Sequence, residues 1–165
     1  MTMTVTIKDY QQINKFLSDN GIDTILYGSL GVSVYLGNFR DFDDIDLLVD
    51  DIYMEEKWST LRDLMLKNGF QITDEKEHEF INVREVKVAF AEKDVLIEDH
   101  ICDPLTDTVT INLDGTTIKT LKPECFIKAY TFSSTDGYRI EKRGDSDLNI
   151  VKKLQEFTLK PLSPL

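Results

Sequence analysis

Hydrophobic residues recur along this chain with two periodicities, one typical of helices and one typical of strands. Residues 51–68 give the clearest helical pattern, because apolar side chains recur every three or four positions. Residues 80–91 include a run that alternates apolar and polar side chains, as a half-buried strand does. Asp114-Gly115 separates two further such runs and is a strong signal for a two-residue hairpin turn. Such patterns predict helices at 9–20, 30–36, 51–68, from 123 onward and at 145–157. They predict strands at 24–27, 45–49, 70–73, 80–91, 108–113 and 116–121. Residues 133–143 are predicted to form a polar loop.

This mixture of helices, strands and a hairpin predicts the fold class. We expect an α/β (α+β) domain in which helices pack on a mixed β-sheet. The chain has 165 residues, enough for one domain with a substantial core. We expect that domain to span residues 1–158 and residues 159–165 to form a flexible C-terminal tail.

The formal net charge of -11 makes the chain a poor nonspecific binder of nucleic acids and of anionic membrane surfaces. Affinity for phosphate backbones comes mainly from Lys and Arg, which are in the minority here. No apolar run approaches the length of a membrane span, and the N-terminus lacks the regions of a signal peptide. We therefore expect a cytoplasmic protein with no membrane partner.

The residues that most often bind transition metals are scarce. Cys102 and Cys125 lie far apart in the sequence without a CxxC spacing, so we expect two reduced, partly buried thiols. His78 and His100 are the only imidazoles. This composition disfavours a histidine-rich metal site and a Ser-His-Asp triad.

The most informative segment is YGSLGVSVYLGNFRDFDDIDLLV, residues 27–49. Asp44 and Asp46 are two residues apart at the start of a predicted strand, so both side chains should lie on one face. Two such carboxylates can hold a divalent cation, and magnesium combines few carboxylates with phosphate oxygens. Gly28 and Ser29 follow the preceding strand, where backbone amides and the Ser29 hydroxyl could hold a triphosphate. That hydroxyl could also cap the helix, and both roles remain open.

Gly28-Ser29, followed after fourteen residues by Asp44-Ile45-Asp46, resembles the signature of the nucleotidyltransferase superfamily, which has the polymerase-beta-like fold. The context RDFDDIDLLV is similar to small bacterial members, among them antibiotic and toxin-antitoxin nucleotidyltransferases. The resemblance implies transfer of a nucleoside monophosphate from a nucleoside triphosphate to a hydroxyl, with release of pyrophosphate. It also implies Mg²⁺ or Mn²⁺ as cofactor and ATP as the expected triphosphate, while the acceptor remains unknown.

The resemblance assigns roles to four residues of the motif. Asp44 and Asp46 would be the catalytic metal ligands, and Gly28 and Ser29 would bind the triphosphate. P-loop, dinucleotide-binding, nucleophile-elbow and EF-hand patterns do not fit the same segment.

Two basic residues are further candidates for nucleotide binding, namely Arg40 and Lys128. Each also has a simpler interpretation. Arg40 could pair with Asp41 or Asp43 at the surface, and Lys128 could be a solvated residue of its helix.

The sequence departs from the family pattern on a later strand. The family usually carries a third carboxylate there, which often serves as the base for the acceptor hydroxyl, but the matching position here is Ala89. Glu85, Glu92, Asp94 and Glu98 lie nearby and are candidate substitutes. Three functions therefore stay open. They are an active transferase, a nucleotide-binding or antitoxin-like partner-binding module without chemistry, and a domain that a cation merely stabilises. A homodimer or a partner protein could also complete the site.

Overall fold

The computed structural model describes residues 6–37, 44–113, 115–135 and 137–159, with residues 133–135 and 137–147 described by their backbone alone. The helices are α1 (Ile7–Asp19), α2 (Gly28–Leu36), α3 (Trp58–Lys67), α4 (Val95–Glu98), α5 (Pro123–Thr135) and α6 (Gly137–Leu159), with a 3-10 turn at Asp51–Met54. The strands are β1 (Ile25–Tyr27), β2 (Asp44–Val49), β3 (Phe70–Asp74), β4 (Glu79–Asn82), β5 (Lys87–Glu92), β6 (Thr108–Leu113) and β7 (Thr116–Leu121).

The described strands form one mixed sheet in the order β3-β4-β5-β2-β1-β7-β6. Central strand β2 runs parallel to β5 and antiparallel to β1, and β1 in turn runs parallel to β7. The β3-β4, β4-β5 and β6-β7 pairs are antiparallel, and the last is the predicted hairpin with both of its predicted strand ranges. The predicted α/β (α+β) class, a mixed sheet flanked by helices, is confirmed.

Each face of the sheet has its own buried core, because side chains alternate along the strands. Ile45 and Leu47 of β2 belong to the cluster that includes residues of α1 and α3. Leu48, on the other face, belongs to the cluster that includes Phe126 of α5 and Leu154 of α6. Alternation therefore places Asp44 and Asp46 on the same face as Leu48, the face on which α5 and α6 pack.

Two elements that were predicted to be continuous are each interrupted by a turn. The predicted helix 51–68 is a 3-10 turn followed by α3, and Glu55 between them has φ -124° and ψ -103°, which are not helical. The predicted strand 80–91 is a pair of antiparallel strands. The side-chain oxygen of Asn82 accepts hydrogen bonds from the amides of Arg84 and Val86, both at 3.0 Å, and so forms the turn.

The predicted loop over 133–143 is helical, apart from residue 136, which lies outside the described residues. α5 continues to Thr135, and α6 begins at Gly137 rather than near Asp145. Polar composition does not exclude a helix that has a solvated side, which is the reason the prediction was wrong. α6 includes Leu159, and residues 160–165 of the predicted tail lie outside the described residues.

Candidate active site

Gly28 and Asp46, which are eighteen positions apart in the sequence, are in direct contact. β1 ends at Tyr27, and Tyr27 pairs with Asp46 across the antiparallel ladder. Gly28 has φ 66°, and a Cβ at this position would overlap Oδ2 of Asp46 and lie 3.0 Å from its Cγ. Only glycine satisfies both the backbone angle and this close approach. The glycine half and the acidic half of the motif therefore form one site.

Helix α2 directs its N-terminus toward this contact. Tyr27 occupies the N-cap position without a side-chain hydrogen bond to the helix, and Ser29 is already the second helical residue. Of the two roles left open for Ser29, the structure therefore excludes that of helix N-cap. Its half-buried hydroxyl lies in the first turn, where backbone N–H groups and the helix dipole favour an anion.

The composition of α2 explains why this turn is held firmly. Leu30 is buried in one core cluster and Val32 in the other, so the helix packs at the junction of both. Gly31 lies against α5, since a Cβ there would be 2.7 Å from Cζ of Phe126. The Phe126 ring also stacks on Tyr27 with ring centroids 5.9 Å apart. Packing on both sides therefore fixes the first turn of α2.

Asp44 and Asp46 are both half-buried at the beginning of β2. Their side chains share a face, as predicted, and both residues have interaction partners. Across the parallel ladder, Asp44 lies beside Lys87 and Asp46 lies beside Ala89. Ala89 thus occupies the position on β5 that is closest to the acid pair, which agrees with the register inferred from the sequence.

The four candidate substitutes for a third carboxylate do not lie beside Asp46. Glu85 is exposed in the turn before β5, with φ 64°. Glu92 pairs with Val49 and lies three residues after Ala89, which places it on the opposite face of the sheet. Asp94 and Glu98 follow the end of β5, at the edge of the sheet away from Asp44.

Glu79 is a carboxylate that sequence reasoning missed. It pairs with Ala89 from β4, so Asp46, Ala89 and Glu79 form one row across three strands. Its Oε1 accepts a hydrogen bond from the hydroxyl of Thr73 at 2.9 Å. The β4-β5 turn brings Glu79 into this row, and a prediction of one continuous strand could not reveal it.

The two basic candidates have different outcomes. Arg40, together with Asp41 and Asp43, lies outside the described residues. Lys128 is exposed on α5, half a turn after Phe126. A nucleotide contact by Lys128 stays a prediction.

A second group of carboxylates lies at the opposite edge of the sheet, after the ends of β2 and β5. A hydrogen bond with Asp94 is the largest cause that raises the pKa of Asp51 to about 6, and burial and the charges of Asp94 and Glu92 add to it. Oδ1 of Asp51 is buried without a hydrogen-bond partner among the described residues. Beside this group, Asp50 forms an ion pair with Lys93.

The Asp51 carboxyl predicts a specific pH dependence of stability. Its pKa is raised on folding, so the folded state binds more protons than the unfolded state between about pH 4 and pH 6, and stability falls as pH rises through that window. Asp51→Asn should raise the free energy of unfolding at pH 7 by about 1 kcal/mol, allowing for solvent screening, and should have little effect at pH 4. Thermal melts across this range test the prediction. An equal gain at pH 4 and pH 7 for Asp51→Asn would contradict the assignment.

Comparison with solved structures shows which known fold this domain has. The antigenic nucleotidyltransferase-like protein from Paracoccidioides brasiliensis matches with a TM-score of 0.69 and 17% identity, over 93% of this chain and 76% of that one. ANT(2")-Ia in complex with adenylyl-2"-tobramycin matches with a TM-score of 0.59 and 11% identity, over 92% of this chain and 89% of that one. The fold is therefore that of the nucleotidyltransferases.

Sequence comparison then identifies the family. The model of the family described as "Nucleotidyl transferase of unknown function (DUF2204)" matches residues 6–155, and the chain belongs to this family. A relative, the uncharacterized protein YnaI of Bacillus subtilis (strain 168), is 34% identical over 147 residues, which cover 84% of this chain and 90% of the relative. The resemblance inferred from the Gly-Ser and acid-Ile-acid motif is confirmed.

Among the described residues, no helix is long and apolar enough to cross a membrane.

Proposed function

We propose that this protein transfers a nucleoside monophosphate from a nucleoside triphosphate, with ATP as the expected donor, to a hydroxyl group. The observation that carries the proposal is the contact between Asp46 and Gly28. This contact joins a pair of carboxylates to the N-terminus of a helix, so one site offers ligands for a cation and donors for a phosphate.

The residues of the site fit a magnesium or manganese ion. Asp44 and Asp46 supply only oxygen ligands, as these ions prefer, and the missing Cβ of Gly28 leaves room for the Asp46 carboxylate beside the turn. When bound, the ion would neutralise charge on the triphosphate and on the departing pyrophosphate. Asp44 and Asp46 are the residues that would hold it.

The remaining roles follow from the same geometry. The first-turn amides of α2 and the Ser29 hydroxyl would bind and orient phosphate oxygens. In the reaction the acceptor oxygen bonds to the α-phosphorus, the bond to the bridging oxygen breaks, and pyrophosphate leaves. The acceptor proton needs a base, and Glu79 is the described carboxylate that lies in one row with Asp46.

Pyrophosphate release tests the proposal whichever hydroxyl serves as the acceptor. The protein is incubated with radiolabelled ATP and Mg²⁺, and with water, tobramycin, RNA or a second protein as the acceptor. Tobramycin is included because a fold neighbour forms a complex with adenylyl-2"-tobramycin. Magnesium-dependent release of pyrophosphate together with a labelled product is the expected result. Release that is equal in EDTA would contradict the proposal.

Ala89 favours a second candidate function, nucleotide or partner binding without chemistry. No carboxylate stands beside Asp46 on β5, where the third acid of the family is expected. This candidate predicts magnesium-dependent binding of ATP in calorimetry without pyrophosphate release with any acceptor. A second copy or a partner chain that supplies an acid would restore turnover.

Ala89→Asp separates the two candidates. If the site lacks a base, as the second candidate holds, the new carboxylate beside Asp46 would supply one, and the rate of pyrophosphate release should rise about 10²–10⁴-fold. Ala91→Asp is the matched control, because Ala91 is exposed on the same strand and the same face, opposite Leu48. An unchanged rate in Ala89→Asp, with a loss in Glu79→Gln, would indicate that Glu79 already serves as the base.

A further inference from the structure

Two cysteines that are far apart in the sequence meet in the fold, together with a carboxylate. The ligand atoms of Cys102, Asp107 and Cys125 all lie within 4.8 Å of one another. Cys125 is buried, and the other two residues are half-buried. We propose that these three side chains bind a thiophilic divalent cation of the zinc type, at a site separate from the Asp44-Asp46 pair and independent of nucleotidyl transfer.

The spacing of the three side chains is close to that of a tetrahedral zinc site. Zinc binds thiolate sulfur at about 2.3 Å and carboxylate oxygen at about 2.0–2.2 Å, so neighbouring ligand atoms lie roughly 3.5–3.8 Å apart. The observed atoms need to approach one another by about 1.3 Å at most. Three protein ligands leave a fourth position for water.

The backbone around the cluster holds it in place. The three ligands come from different segments: the loop after α4, the residue before β6 and the first turn of α5. The carbonyl of Asp107 accepts hydrogen bonds from the amide of Lys122 at 2.9 Å and from Sγ of Cys125 at 3.8 Å. The amide of Asp103 donates to Oδ2 of Asp107 at 3.0 Å and so orients the carboxylate.

The surrounding charges suit thiolates with a divalent ion. Two thiolates and one carboxylate carry three negative charges, which leaves one negative charge after zinc binds. Lys122 Nζ lies 3.9 Å from Oδ1 of Asp107. Its positive charge compensates the residual charge, and soft sulfur ligands select zinc over magnesium, which prefers oxygen.

Cobalt titration of the full chain, metal-free and kept reduced, tests the proposal, because Co²⁺ occupies zinc sites and reports thiolate ligands by colour. We expect one equivalent of Co²⁺ to produce a thiolate-to-metal charge-transfer band and tetrahedral visible bands, and Zn²⁺ to displace it. Cys102→Ser should weaken binding at least about 100-fold and remove most of the band, and Asp107→Asn should weaken it about 10–100-fold. The control Asp103→Asn, and the double variant Asp44→Asn/Asp46→Asn, should keep the charge-transfer band of the wild type.

The same experiment can overturn the proposal in three ways. A reduced protein that gives no charge-transfer band lacks the site. A band that persists in Cys102→Ser arises elsewhere. If the reduced chain fails to bind cobalt, and mild oxidation of the same chain removes both free thiols, then Cys102 and Cys125 form a disulfide instead. Circular dichroism of Cys102→Ser, whose side chain is half-buried, checks that the variant is folded.

Discussion

Replacing Asp46 with Asn is expected to reduce magnesium-dependent pyrophosphate release by about 10³-fold, because an amide neither neutralises a metal ion nor binds it as a carboxylate does. Asp44→Asn should have a similar effect, since both side chains lie on one face at the start of β2. The Asn side chain keeps the shape of Asp, so the fold should be retained. The rate of pyrophosphate release and the melting temperature, measured side by side, check both expectations.

Asp63→Asn is the matched control for these variants. Asp63 is an exposed carboxylate on α3, and its contact is with neighbouring Arg62 at 3.3 Å. It should keep the wild-type rate. If the Asp46 and Asp44 variants also keep that rate, the reaction takes place elsewhere and the proposed site is wrong.

Gly28→Ala is expected to lower the rate of pyrophosphate release by about 10²-fold or more. The new Cβ would overlap Oδ2 of Asp46, so the carboxylate must rotate away from the first turn of α2. A displacement of about 1 Å in a catalytic group can cost about 10²-fold in rate. The left-handed backbone at this position adds a stability cost of about 1–2 kcal/mol.

Gly37→Ala distinguishes the effect of losing the Asp46 contact from the effect of backbone strain. Gly37 also has a positive φ, 73°, but no atom of the described residues lies within 4 Å of a Cβ placed there. Both variants should lose similar stability in chemical denaturation, and only Gly28→Ala should lose activity. Equal losses of activity would show that strain rather than the Asp46 contact is responsible.

The sequence predicted the local parts of this fold well, because each was specified by neighbouring residues. Asp114-Gly115 defined the hairpin, and alternation placed Asp44 and Asp46 on one face of a strand that leads into a buried segment. The Gly-Ser and acid-Ile-acid motif identified the family that the comparisons confirmed.

The parts that were missed depend on contacts between distant residues or on turns. A side-chain hydrogen-bond pattern at Asn82 divides the predicted strand 80–91 into two strands, and that division brings Glu79 into line with Asp46. Cys102 and Cys125 meet because α5 packs near the loop after α4, which no local spacing encodes. Register across strands and packing between helices are properties of the whole chain.

Calorimetric titration of ATP is the most direct test that the Gly28, Asp44 and Asp46 site holds a metal-bound triphosphate. The wild type and the Asp44→Asn/Asp46→Asn double variant are each titrated in Mg²⁺ and in EDTA. We predict one binding event in the wild type with Mg²⁺, weakened at least about 100-fold by EDTA and by the double variant. Binding of equal strength in EDTA, or in the double variant with Mg²⁺, would contradict this account of the site.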